Sequence, residues 1–101
     1  MYSNFFPKNN IMEEKKGSED MLNAEIVGRV IQEYREKRKL SQEVVSGLAD
    51  IGRTHLSAIE RGVRKPTLET FFRLAEAMDI RPSELMRMVE EMAARVSVTK
   101  D

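Results

Sequence analysis

Apolar positions recur at helical spacing through most of the chain and predict an all-α protein of five helices joined by short connections. From Glu25 to Lys39, one apolar stripe is formed by Val27, Ile31 and Tyr34. This spacing predicts a first helix that packs through one face only.

Two later segments have the same character. Thr67, just after Pro66, is expected to cap a fourth helix, whose apolar positions are Leu68, Phe71, Phe72, Leu74, Ala75 and Met78. We expect its aromatic residues to belong to the core rather than to a platform for stacking bases. Pro82 opens a fifth helix, in which four apolar residues are spaced i, i+3, i+4 and i+7: Leu85, Met88, Val89 and Met92.

Between these segments lies LSQEVVSGLADIGRTHLSAIERG, residues 40–62, which predicts two short helices separated by a sharp turn. Ser41 is a favourable N-cap, and the helix that follows places Val45, Leu48 and Ala49 on an apolar face. The sequence Asp-Ile-Gly at 50–52 breaks the helical pattern. A second helix then starts at Arg53, places Leu56 and Ile59 on one side, and ends at Arg61-Gly62, with Gly62 as its C′ residue.

This ordered set of residues resembles the Cro/repressor-type, or XRE-like, helix-turn-helix family. The matching positions are Arg35 in helix 1, Leu40 to Glu43 opening helix 2, Ile59 to Gly62 closing the recognition helix, Pro66, and Leu74 to Met78 in helix 4. The resemblance extends from Ala24 to about Met92. It implies a five-helix, lambda-repressor-like DNA-binding domain.

Two positions depart from the family pattern. Ser46 stands where a small Ala is usual, and its hydroxyl can bond back to a carbonyl one turn earlier. Asp50 stands where Gly is usual at the turn, and Asp tolerates left-handed backbone angles better than most residues. Both departures are therefore compatible with the motif.

The resemblance also implies which residues contact DNA. Helix 2 crosses the phosphate backbone and the N-terminal half of helix 3 enters the major groove. The expected base-contacting residues are Arg53, Thr54, His55, Ser57 and Ala58. The expected phosphate-contacting residues are Ser41, Gln42, Arg61, Arg64 and Lys65. By the same resemblance, Arg35 and Glu60 form a structural ion pair between helix 1 and the recognition helix.

The charge distribution suits this interpretation, although the net charge of the 101 residues is zero. Residues 25–65 hold nine Lys and Arg against six acids, whereas residues 1–24 hold three against four and residues 66–101 hold five against seven. The basic part of the chain is the part that carries the helix-turn-helix motif. A local positive face is what attraction to phosphates requires.

Composition argues against metal sites, catalytic sites and membrane-spanning segments. The chain has no cysteine, which excludes disulfides and Cys-based zinc sites. His55 is the only histidine and lacks the neighbours that a metal site or a nucleophile would need, so we expect no metal, no cofactor and no enzyme activity. The pairs Glu13-Glu14 and Glu90-Glu91 are expected to be solvated rather than a general acid/base dyad. With no apolar run of about 20 residues, we expect a cytoplasmic protein without a membrane partner.

The sequence therefore predicts three regions: an N-terminal arm at 1–23, a helix-turn-helix domain at 24–94 and a C-terminal tail at 95–101. We expect a sequence-specific, double-stranded DNA-binding transcription regulator that represses as a homodimer on a palindromic operator. The expected dimer contact is the fifth helix, through Leu85, Met88, Val89 and Met92. An open alternative is the antitoxin of a toxin–antitoxin pair, in which the arm with Phe5-Phe6 or the tail binds a protein partner.

Overall fold

The computed structural model describes residues 22–100, with side chains described to residue 96, and this part of the chain forms five helices and no strand. They are α1 (Ala24–Lys37), α2 (Gln42–Ala49), α3 (Arg53–Glu60), α4 (Leu68–Ala77) and α5 (Pro82–Lys100). The all-α, five-helix prediction is confirmed. Most of the predicted N-terminal arm, including Phe5-Phe6, lies outside the described residues.

Side-chain caps fix where three of the helices begin. The Ser41 hydroxyl accepts a hydrogen bond of 3.0 Å from the Val44 N–H, and the Thr67 hydroxyl accepts one of 3.1 Å from the Thr70 N–H. Both caps agree with the prediction from sequence. Asn23, which falls within the predicted arm, instead caps α1 by accepting from the N–H of Glu25. These caps satisfy first-turn donors that have no partner within the helix.

Left-handed backbone conformations end the first four helices. Gly62 has φ of 79°, as expected for a glycine at C′, and Asp50 has φ of 61°, as the turn required. Lys39 and Asp79 adopt the same conformation after α1 and α4, with φ of 59° and 60°. Each of these three non-glycine residues holds a conformation that glycine adopts with less strain.

The core lies where the helices meet: α2 packs against α3 and α4, α1 packs against α3 and α5, and α4 packs against α5. Its fully or nearly fully buried apolar residues are Val27, Val30, Ile31, Val45, Ala49, Leu56, Ile59, Phe71, Leu74, Ala75, Met78, Leu85 and Val89. The Ser46 hydroxyl, also buried, bonds back to the Glu43 carbonyl at 3.3 Å, as the sequence suggested.

Three residues expected in the apolar core are exposed instead. Leu48 is 67% exposed on α2, and Leu68 and Phe72 are 74% and 54% exposed on α4. The apolar pattern is broader than the surface that neighbouring helices cover. A helix of eight or ten residues packs through about one side, so apolar residues at the edge of a wide stripe remain in contact with solvent.

Two observations on the fifth helix bear on the predictions. Residues 95–100, expected to form a C-terminal tail, are helical and continue α5. Leu85 and Val89, expected at a dimer contact, are fully buried in the monomer, while Met88 and Met92 are only partly buried. The reason is that α5 must close the core against α1 and α4, and it uses the centre of its apolar stripe to do so.

Gly28 allows α1 to approach the end of α3 more closely than any other residue type would permit. A Cβ atom at this position would collide with the Ile59 carbonyl oxygen and lie 2.9 Å from the Glu60 carbonyl oxygen. Both obstacles are backbone atoms, which cannot rotate away. The glycine therefore sets the distance between α1 and the C-terminal end of α3.

Candidate nucleic-acid interface

The short helix α3 buries one side and presents the other. Leu56 and Ile59 are fully buried, which anchors the helix on the core. Arg53 and Thr54 are exposed at its N-terminal end, and the remaining predicted base-contacting residues, His55, Ser57 and Ala58, are partly exposed. The side of α3 that would enter a major groove is thus opposite the side that packs on the core, and it is most exposed at Arg53 and Thr54.

The predicted phosphate-contacting residues lie at two places beside this surface. Ser41 and Gln42 are at the N-terminus of α2, and Arg61, Arg64 and Lys65 are exposed in the segment that follows α3. Ser41 already uses its hydroxyl oxygen to cap α2. Backbone N–H groups of Val63 and Arg64 both bond to the Ala58 carbonyl, which folds this cationic segment back onto α3.

Beneath the surface, Arg35 and Glu60 form a buried, bidentate ion pair. Arg35 donates from Nε to Glu60 Oε2 at 2.7 Å and from Nη2 to Oε1 at 2.9 Å. Its Nη1 donates to the Leu40 carbonyl at 2.8 Å. The Glu60 side chain is only 2% exposed, and its hydrogen bonds raise the pKa of Arg35. The pair ties α1 to the end of α3 and to the segment that leads into α2.

Gln42 connects this ion pair to the exposed end of α3. Its Nε2 donates to Glu60 Oε1 at 2.8 Å, and its Oε1 accepts from Arg53 Nη1 at 3.1 Å. From the sequence, Gln42 is expected to contact a phosphate and Arg53 a base, and the hydrogen bond between the two side chains was not predicted. The sequence does contain a signal for this bond. Gln42 and Arg53 are the first residues of the two helices of the motif, and the starts of these helices can approach one another.

Within residues 22–96, no group of three or more His, Cys, Asp or Glu side chains converges in a way that could hold a metal ion. His55 is partly exposed on α3. None of the five described helices combines the length and hydropathy needed to cross a membrane.

Comparisons with known proteins agree with this geometry. A family model described as helix-turn-helix matches residues 31–85. An uncharacterized HTH-type transcriptional regulator, y4dJ of Sinorhizobium fredii (strain NBRC 101917 / NGR234), is 33% identical over 66 residues, which cover 65% of this chain and 86% of the relative. The control protein C.BamHI of Bacillus amyloliquefaciens is 31% identical over 62 residues, covering 60% of this chain and 76% of the relative.

A solved structure shows the same fold. The restriction-modification controller protein C.AhdI from Aeromonas hydrophila superposes with a TM-score of 0.59 and is 35% identical, over 61% of this chain and 94% of that one. These relatives favour a transcription regulator over an antitoxin or other protein-interaction module. The matched model covers the helix-turn-helix and the scaffold that holds it, and the chain therefore belongs to the XRE-like helix-turn-helix family of DNA-binding transcription regulators.

Proposed function

We propose that the protein binds a palindromic operator as a homodimer in the cytoplasm and represses transcription by occupying promoter DNA. The observation that carries this proposal is the exposed N-terminal half of α3, held on a fully buried apolar side and flanked by cations. A helix presented in this way fits the major groove of B-DNA.

Each exposed residue of α3 has a distinct role in this proposal. Arg53 makes a bidentate contact to guanine, Thr54 contacts a phosphate or a thymine methyl, and His55 and Ser57 bond base edges. Ala58 offers only a methyl contact. Together these residues read a few base pairs, which is too little for specificity in a genome unless symmetry doubles the site.

Phosphate contacts supply most of the affinity. Gln42 at the start of α2, with Ser41 beside it, contacts one phosphate, and Arg61, Arg64 and Lys65 contact others. Three cations in each half-site give six in a dimer. We expect binding to weaken by about 10³ between 50 and 200 mM salt, as counterion release by six or more phosphate contacts predicts. An affinity that does not change with salt would contradict this arrangement.

Selection of bound sequences from random duplex DNA tests the function directly. We expect an enriched motif with two-fold symmetry and half-sites about 34 Å apart, one turn of DNA. Arg53→Ala should remove the preference at one base pair of each half-site. Absence of any enriched motif would refute sequence-specific binding, and a motif without symmetry would refute the dimer.

For the dimer contact we propose the part of α5 that the core leaves partly exposed, Met88 and Met92, in place of the buried Leu85 and Val89. Replacing both methionines with Glu should give a folded monomer with weak operator binding, as measured by light scattering and by titration of a single half-site. Phe72→Glu is the matched control, since Phe72 is an exposed apolar residue on α4. If Phe72→Glu alone produced a monomer, the dimer contact would lie on α4 and not on α5.

A second, narrower proposal concerns which genes the protein regulates. Two relatives are named as control or controller proteins, and the similarity to C.AhdI spans nearly all of that chain at 35% identity. On this ground, the operator would lie upstream of restriction and modification genes. Locating the selected motif in the genome tests this idea, and a motif found only beside unrelated genes would reject it.

A further inference from the structure

The hydrogen bonds that run from Arg35 through Glu60 and Gln42 to Arg53 have a direction. Glu60 is a carboxylate and can only accept, so it receives two bonds from Arg35 and one from Gln42. This requirement turns the NH₂ group of the Gln42 amide inward. Its carbonyl oxygen therefore faces outward, toward Arg53 at 3.1 Å.

An outward carbonyl matters because it constrains what can stand at the first position of α3. Only a hydrogen-bond donor can pair with it, and Arg53 uses one of its five N–H groups to do so. The other N–H groups remain available for O6 and N7 of guanine, which both accept. A side chain held at one end loses less rotamer freedom when it binds a base.

We propose that Glu60 is a positioning residue that determines base specificity: it holds the Gln42 amide with its carbonyl toward Arg53 and thereby favours guanine at the base pair that Arg53 reads. This inference rests on the proposed function. It gives the Gln42 side chain this positioning role and leaves the phosphate contact to the Gln42 backbone N–H at the N-terminus of α2. The buried ion pair, which lies away from the exposed side of α3, then contributes to the choice of base and not only to stability.

The inward acceptor can be removed together with its buried cation. Glu60→Gln does not do this, because Glu60 Oε1 accepts from both Arg35 Nη2 and Gln42 Nε2, and the carbonyl of a new amide at that place would leave Gln42 unchanged. In Arg35→Met/Glu60→Leu, no acceptor holds the NH₂ group of Gln42 inward, and its carbonyl is no longer fixed toward Arg53. We expect the affinity ratio of a guanine site over the same site with adenine to fall about tenfold, within the range of one bidentate contact.

A further substitution should restore it. In the triple variant Arg35→Met/Gln42→Glu/Glu60→Leu, the carboxylate at position 42 has no NH₂ group, so it presents an acceptor to Arg53 whichever oxygen faces outward. We expect the guanine preference to return, although the overall affinity falls because the carboxylate repels phosphate. A merely structural role for Glu60 gives no reason for this recovery.

The measurement is the dissociation constant on the selected operator and on operators changed at the base pair identified by Arg53→Ala. Thermal unfolding followed by circular dichroism verifies that each variant is folded. Arg64→Gln is the control: it removes an exposed cation from the segment after α3, and should weaken guanine and adenine sites equally.

Gln42→Met, which offers no acceptor, provides an independent test if Arg35→Met/Glu60→Leu does not fold, and it too should lower the guanine preference. A folded Arg35→Met/Glu60→Leu or Gln42→Met that keeps the wild-type ratio would overturn the inference and leave the proposed function intact. Failure of the triple variant to recover the ratio would overturn it as well. If the wild type selects no motif, the proposed function fails, and the inference fails with it.

Discussion

The close approach of α1 to α3 at Gly28 makes a quantitative prediction. In Gly28→Ala, the added methyl group meets the carbonyl oxygens of Ile59 and Glu60, so the two helices must separate. Overpacking of this kind costs about 1–3 kcal/mol, and backbone obstacles place it at the upper end. The better helix propensity of Ala returns about 1 kcal/mol. We expect a net loss of about 2 kcal/mol, which in a domain of this size lowers the melting temperature by roughly 8–16 °C.

Gly47→Ala is the matched control. Gly47 is also inside a helix, α2, but a Cβ atom there would meet nothing within 4 Å. The same substitution should therefore stabilise the protein by about 0.5–1 kcal/mol. Urea unfolding followed by circular dichroism measures both free energies of unfolding. If Gly28→Ala were as stable as the wild type, or if the two variants changed stability alike, the close approach would not exist.

Other predictions concern the turn and the ion pair. Asp50 has a left-handed backbone conformation, and its carboxylate makes only a 4.0 Å contact to Arg73. Asp50→Gly should therefore be neutral or stabilising, while Asp50→Val should lose about 1 kcal/mol or more of stability, as measured by thermal unfolding. Equal stability of the two variants would contradict a left-handed conformation at this turn. Arg35→Met leaves the Glu60 carboxylate buried without its cation and should lose about 3–5 kcal/mol, whereas the apolar pair Arg35→Met/Glu60→Leu should recover much of that loss. No recovery in the double variant would show that the pair itself is stabilising.

Local chemistry made much of the fold predictable from the sequence. Ser41 and Thr67 are caps because their hydroxyl groups bond the backbone a few residues away, and such contacts depend on neighbours in sequence alone. The left-handed turn at Asp50 and the bond from Ser46 to the Glu43 carbonyl are local in the same sense. The resemblance to the helix-turn-helix family then predicted how these helices assemble into the five-helix fold.

What escaped prediction depends on distance in sequence. Gly28 has no local signature, since its purpose is contact with a backbone about thirty residues later. The exposure of Leu48 and Phe72 depends on how far neighbouring helices extend over α2 and α4. The bond from Gln42 to Glu60 joins residues eighteen apart. The sequence shows each of these residues, but tertiary packing determines which distant residues they contact.

The burial of Leu85 and Val89 within one chain has a consequence for how a cell would use this regulator. Because the core closes without a second copy, a folded monomer can persist, and the proposed dimer need not form until enough protein has accumulated. Occupancy of a palindromic site would then rise with about the square of the protein concentration at low concentration. A gene under such control stays unaffected while the regulator is scarce and responds over a narrow range of expression, so the dimerisation constant would set the threshold of the response.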